Sequence, residues 1–328
     1  MTKAARLSVA PMMDWTDRHC RVFHRAFSRS ALLYTEMITS AALVRGDATH
    51  LLDFNEGEHP VALQLGGSDP DELAEAVRIA APFGYDEINL NVGCPSDRVQ
   101  SGCFGAVLMK DPDLVARCCE AMIAAAGPTP VTVKCRIGVD EQVPADVLPA
   151  FLSRVSGAGV VHFIVHARMA WLQGLSPKEN RDVPPLDYEL VRDMKRQFPH
   201  LEIAINGGIQ DLASAEAFLR DGLDGVMIGR TAYHDPGAIL SAADARIFGC
   251  DSVPVTPETA VTAMLPYIEG ELTKGTRLNQ ITRHMLGAFT GRPGARLWRR
   301  TLSEGAHKSG AGPDLIVAAL GHITNQPA

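Results

Sequence analysis

The sequence predicts an α/β fold, a (β/α)8 TIM barrel over residues 1–251, with a smaller all-helical domain over residues 252–328. Three observations lead there. Short apolar runs, each followed by a longer stretch with helical spacing, recur eight times in the first 250 residues or so. The runs are continuously apolar rather than alternating, as strands buried on both faces of a parallel sheet must be. Beyond Cys250 a Pro-, Ser- and Thr-rich stretch leads to Pro257, and no strand pattern follows it. Eight units in that length suit a closed barrel better than an open doubly wound sheet. A total of 328 residues also exceeds the size at which one core usually keeps growing.

In chain order, strands are expected at 7–11, 32–36, 61–65, 87–91, 131–135, 162–166, 202–206 and 225–229. The helices between them announce their starts: Ser68-Asp69-Pro70 before 72–80, Asp111-Pro112 before 114–125 and Asp187 before 189–198. In the tail, helices are expected at 259–272, 277–289 and 314–323. No apolar run approaches the roughly 20 residues of a membrane span. Met1 to Ser8 lack the basic stretch and apolar run of an export signal, so a cytoplasmic protein is expected. The seven cysteines are irregularly spaced, which suits reduced thiols, and no Cys/His spacing suggests a metal.

Charge is segregated. Residues 1–256 hold 23 Lys+Arg against 33 Asp+Glu, whereas residues 257–328 hold 8 against 5. From Leu272 to Ser303 there are Lys274, Arg277, Arg283, Arg292, Arg296, Arg299 and Arg300 and no carboxylate. Such a stripe can grip nucleic-acid phosphates, and Arg296 and Arg299, three apart, would share a face if their segment were helical; a plain solvated face is the alternative.

Barrel active sites form at the C-terminal ends of the strands, and here those ends are polar: Asn89 and Asn91, Lys134 and Arg136, His166 and Arg168. After strands seven and eight, Asn206-Gly207-Gly208 and Gly229-Arg230 offer bare backbone N–H groups and one permanent cation, which describes a monophosphate pocket. Neither a G-x-G-x-x-G nor a P-loop occurs, so a dinucleotide fold is not indicated. FMN would use the remaining residues well. Gln64 can meet its pyrimidine edge, Lys134 can balance charge gathering at N1 and C2=O, and Pro11, Met12 and Met13 can wall the ring. Cys94 sits just past strand four between Gly93 and Pro95, followed by a glycine-bearing loop, Ser101-Gly102-Cys103-Phe104-Gly105-Ala106. With no base arranged to make it a nucleophile, its thiol suits a proton donor.

These segments resemble the tRNA-dihydrouridine synthases: Ala10-Pro11-Met12-Met13-Asp14-Trp15, Gln64-Leu65-Gly66, Asn89-Leu90-Asn91-Val92-Gly93-Cys94-Pro95, Val133-Lys134-Cys135-Arg136, Val165-His166-Ala167-Arg168, Asn206-Gly207-Gly208 and Gly229-Arg230. The resemblance covers nearly the whole chain. It implies FMN held by Pro11, Met12, Met13, Gln64, Lys134, His166, Asn206, Gly207, Gly208, Gly229 and Arg230, with Cys94 as the acid and NADPH as reductant. It further implies a helical tail that helps to clamp tRNA. The stretch from His166 to Arg181 is most similar to the bacterial A subfamily, which modifies positions 20 and 20a of the D-loop. On that reading Asn91 reads the uracil edge, Lys178, Arg181, Arg296 and Arg299 hold phosphates, and the protein works as a monomer. A free-pyrimidine reductase of the FMN-barrel type would leave the basic tail without a role. A non-catalytic RNA-binding barrel would leave Cys94 and the flavin pocket without one.

Overall fold

The computed structural model describes residues 3–96 and 103–324. Ser101 and Gly102, in the expected loop after Cys94, lie outside those residues. Eight parallel strands close into a barrel in sequence order: β1 (Leu7–Val9), β2 (Leu32–Thr39), β3 (Val61–Gly66), β4 (Glu87–Val92), β5 (Val131–Arg136), β6 (His162–His166), β7 (Glu202–Asn206) and β8 (Gly225–Ile228). Each expected strand is present with ends that differ by up to three residues. The largest change is in β2, which runs on to Thr39 past a register shift between Tyr34 and Met37.

Aspartates start the helices. Asp17, Asp69, Asp111, Asp187 and Asp211 each accept a hydrogen bond from the backbone N–H three residues on, satisfying one of the donors a helix start leaves open. Outward strand residues such as Val133, Val165 and Ile205 join the helices in the main core. The barrel interior is different. One side is filled by a small apolar cluster of Leu32, Tyr34, Ala62, Ile164, Ala204 and Met227, and the other side by buried Gln64, Glu87, Asn89 and Thr132.

The tail is helical, with three departures from expectation. The first expected helix is two, Pro257–Ala263 and Leu265–Thr273, because Pro266 lacks the N–H needed to continue a helix. The helix expected at 277–289 is only Leu278–Thr282, followed by turns. The chain must pass close to the barrel there, since a Cβ on Gly287 would lie 2.4 Å from the His234 carbonyl oxygen. A further helix, Ala295–Gly305, was not among those expected; it buries Ala295, Trp298 and Leu302, and Trp298 Nε1 donates to the Met285 carbonyl at 3.1 Å.

Tail and barrel meet through polar pairs at the helix Arg18–Arg25. Asp17 accepts from Arg283 at 2.6 Å and His284 at 3.0 Å, Arg18 pairs with Glu271 at 2.8 Å, and His19 shares a 2.7 Å hydrogen bond with Tyr267. Burial opposes the charge on Asp17, but the His284 hydrogen bond and charge, with Cys20 N–H and Arg283, outweigh it and hold the carboxyl well below its usual range. Trp15, just past β1, stacks on Tyr233 with ring centroids 4.5 Å apart.

Candidate active site

Strand register places the mouth residues. Lys134 pairs with Asn91 of β4, and Arg136, His166 and Asn206 are successive neighbours across β5, β6 and β7. Their row continues to Met227, which belongs to the interior cluster, so these side chains point into the barrel rather than to the helices.

The Cys94 loop is held from two sides. Asn91 Oδ1 accepts from the backbone N–H groups of Gly93 at 3.1 Å and Cys94 at 3.0 Å, and its Nδ2 donates to Gln64 Oε1 at 2.8 Å. Both ends of the Asn91 amide are thus engaged, and its second N–H is what remains for a ligand. From the other side Arg136 donates to the Gly93 carbonyl at 3.1 Å and, through Nη1, to the carbonyls of Met169 at 3.2 Å and Asn180 at 3.0 Å. The Cys94 carbonyl accepts from Ala106 N–H at 2.9 Å. The thiol is half-buried, 3.5 Å from Ser96 Oγ.

Arg136 was legible as a polar strand end but not as the tie between two loops. Asn180 was not legible at all. Fully buried, it clasps the 171–180 segment, accepting from Trp171 N–H at 2.7 Å and donating to the carbonyls of Trp171 at 2.8 Å and Leu175 at 3.1 Å. In sequence it sits between Glu179 and Arg181 like any surface asparagine. Arg181, the next residue, is exposed and near enough to the mouth for its charge to act on His166, and Lys178 is exposed on the same segment.

The mouth is cationic. Burial first, and then Arg136, Lys134, Arg168 and Arg181, push His166 well below its ordinary value, so the imidazole is neutral. Burial, helped by Arg136, brings Lys134 down to about 8. Its ammonium is half-buried and has neither a hydrogen-bond acceptor nor a carboxylate partner among the described residues.

Beside this lies a cavity of about 560 Å³ whose wall includes Asn206, Gly207, Gly208, Gly229 and Arg230. Gly207 and Gly208 have φ of +115° and +69°, and a Cβ on either would strike a neighbour, His166 Cδ2 at 2.6 Å or Leu186 Cδ1 at 2.5 Å. Only glycine fits both the backbone and the space. Asn206 Nδ2 donates to the Met227 carbonyl at 2.8 Å, tying the two glycine loops together. Arg230 pairs with Asp182 at 2.7 Å, but both are well exposed, so that pair competes weakly with an incoming phosphate. Donor set and cradle therefore fit an anionic mononucleotide such as FMN. Pro11 and Met12 are half-buried, and Met12 Sδ lies 3.4 Å from a Cβ position on Gly229; Met13 is 56% exposed at the rim.

The basic stripe is less uniform than its sequence. Lys274, Arg283, Arg292 and Arg300 pair with Glu271, Asp17, Glu258 and Glu304. Arg296 and Arg299 are exposed on the helix Ala295–Gly305 with no carboxylate partner among the described residues.

Residues 8–324 match the dihydrouridine synthase family. The chain is 58% identical over 318 residues to the tRNA-dihydrouridine(20/20a) synthase of Escherichia coli strain K12, covering 97% of this chain and 91% of that one. It is 54% identical over 327 residues to the protein of that name from Vibrio cholerae, covering 99% of each. Among solved structures, morphinone reductase in complex with tetrahydroNAD superposes with a TM-score of 0.51 at 13% identity over 78% of this chain and 90% of that one. An old yellow enzyme homologue from Zymomonas mobilis gives 0.52 at 13% identity, with 78% and 92% covered. At such identity these two share the fold and nothing finer is drawn from them.

Proposed function

Because the chain belongs to the dihydrouridine synthase family, we propose that it reduces the C5=C6 bond of uridine in the tRNA D-loop, at positions 20 and 20a as in the name of its relatives, with FMN as cofactor and NADPH as electron donor. The observation that supports the flavin assignment most is the Lys134 ammonium, half-buried at the mouth with neither an acceptor nor a carboxylate partner among the described residues. A partly desolvated cation of that kind favours an anion or a carbonyl edge beside it. Pro11, Met12 and Met13 would border the ring, Gln64, Lys134 and His166 its polar edges, and Asn206, Gly207, Gly208, Gly229 and Arg230 the phosphate.

When bound, FMN supplies a hydride from N5 to C6 of the uracil ring. The protein's part is the proton: the Cys94 thiol gives its hydrogen to C5, so that hydride and proton together saturate the bond. Asn91 sets the height of that thiol through two backbone hydrogen bonds and offers its remaining N–H to the uracil edge. The base must leave its stack to reach the mouth. Lys178, Arg181, Arg296 and Arg299 hold phosphates while it does so, the last two from residues 252–328 acting as the tRNA-binding domain. NADPH and tRNA use the mouth in turn, and the enzyme works as a cytoplasmic monomer.

Lys134→Met should slow flavin reduction by NADPH about tenfold, the effect of losing one charged hydrogen bond. The sign with pH follows from which form acts. The protonated lysine stabilises charge on the ring, and an anion beside it can only raise its value above about 8. Reduction should therefore be level near neutrality and fall at some pH above 8 in the wild type, and that fall should be missing in the methionine variant. Stopped-flow rates across pH that show the same fall in both would remove Lys134 from the ring.

An Arg296→Ala, Arg299→Ala double variant should bind tRNA about tenfold more weakly. Its salt slope should be shallower by about two, one for each phosphate that the arginines no longer neutralise. Flavin reduction by NADPH should be unchanged. A wild-type affinity and slope would leave that face as solubilising surface.

A further inference from the structure

Beneath the mouth, six side chains joined by five hydrogen bonds form a column from the floor of the barrel to the Cys94 loop. Tyr34 OH donates to Glu87 Oε1, Thr132 Oγ1 donates to the same oxygen at 2.7 Å, Asn89 Nδ2 donates to Thr132 Oγ1 at 2.8 Å, Gln64 Nε2 donates to Asn89 Oδ1 at 2.7 Å, and Asn91 Nδ2 donates to Gln64 Oε1 at 2.8 Å. All are buried. Burial works against a charge on Glu87, but His162, whose Nδ1 lies 3.7 Å away, and the hydrogen bonds from Tyr34 and Thr132 keep its carboxyl below the ordinary value, so it is an acceptor only. Burial and the Glu87 charge push Tyr34 far up, so it remains a donor.

The column then has one possible sense. Thr132 has a single hydroxyl hydrogen and gives it to Glu87, so it must accept from Asn89. Asn89 therefore turns its carbonyl to Gln64, and Gln64 turns its own to Asn91. The carbonyl of Asn91 is left facing the backbone N–H groups of Gly93 and Cys94. An apolar filling would serve stability as well, as Leu32, Ile164 and Met227 do on the other side of the barrel. A fully satisfied polar chain adds a fixed orientation that apolar packing cannot.

We propose that Glu87 and Thr132 are positioning residues for the reaction: through Asn89 they fix the amide orientations of Gln64 and Asn91, and hence the N–H that Gln64 keeps for a flavin edge and the height of the Cys94 loop. The flavin half rests on the function proposed above; the Cys94 half rests on hydrogen bonds within the chain alone. Each half has its own readout. In flavin-free protein, the rate at which iodoacetamide alkylates Cys94 is followed by mass spectrometry of its peptide. FMN affinity is measured by titration of the same protein.

Thr132→Val removes the hydroxyl at nearly constant shape and leaves Asn89 free to turn over. It should change the Cys94 alkylation rate at least threefold and weaken FMN about tenfold, the scale of one neutral hydrogen bond. Thr132→Ser, which keeps the hydroxyl, should match the wild type in both. Asn91→Leu, which removes the last amide directly, should shift alkylation at least as much as Thr132→Val, and thermal melting shows whether each variant is folded. A wild-type alkylation rate in folded Thr132→Val, with a changed one in Asn91→Leu, would overturn the proposal, as would a serine variant that behaves like the valine one. An unchanged FMN affinity in Gln64→Leu would instead remove Gln64 from the flavin, and the column would still be judged on Cys94.

Discussion

Replacing Cys94 by alanine should slow tRNA reduction about a thousandfold while flavin reduction by NADPH proceeds at the wild-type rate. The two half-reactions share the mouth but not the proton. A positioned general acid is worth about a hundred- to ten-thousandfold, and water reaching C5 accounts for what remains. The loop itself should survive, because its shape depends on Asn91, Arg136 and Ala106 bonding to backbone atoms of Gly93 and Cys94. The serine variant makes a stricter test, since a hydroxyl keeps the size but is a much weaker acid than a thiol and should be nearly as slow as alanine. Dihydrouridine formation within tenfold of wild type in Cys94→Ala would show that the proton comes from elsewhere.

Gly208→Val should yield a folded protein that retains less than about a tenth of the wild-type flavin after purification. A β-branched residue at φ +69° is strained by roughly 1–3 kcal/mol, and its Cβ would also meet Leu186 and Tyr188 at 2.5 and 2.9 Å. Relief must come from moving the loop whose N–H groups are assigned to the phosphate. Gly249→Val separates the two contributions: Gly249 has a similar φ of +67° but nothing within 4 Å of its Cβ position, and it lies away from the cavity. It should lose stability without losing flavin. Equal flavin content in the two variants would argue that Gly207 and Gly208 only turn the chain.

The barrel was legible because burial on both faces writes each strand as an unbroken apolar run, and because aspartates mark so many helix starts. The strand-end residues were legible for a related reason: a barrel has no structural need for Lys134, His166 and paired glycines at one end. What the sequence hid depends on partners far along the chain. Lys274, Arg283, Arg292 and Arg300 look like Arg296 and Arg299 until Glu271, Asp17, Glu258 and Glu304 are placed beside them. Helix Ala295–Gly305 escaped because its apolar face is only Ala295, Trp298 and Leu302, set among three arginines. The break after Thr282 comes from a close approach at Gly287 that no local pattern announces. Asn89 looked like a mouth residue, yet it lies beneath Gln64 as a link to Thr132.

The central claim is that tRNA is the oxidant this site is built for. It is tested most directly by reducing the purified yellow protein with NADPH under nitrogen, removing the nucleotide, and mixing with tRNA lacking dihydrouridine. The expected result is rapid return of the oxidised flavin spectrum, with one dihydrouridine formed at position 20 or 20a for each flavin reoxidised, and no comparable reoxidation by orotate or uracil. Reoxidation by a free pyrimidine with tRNA inert would contradict it.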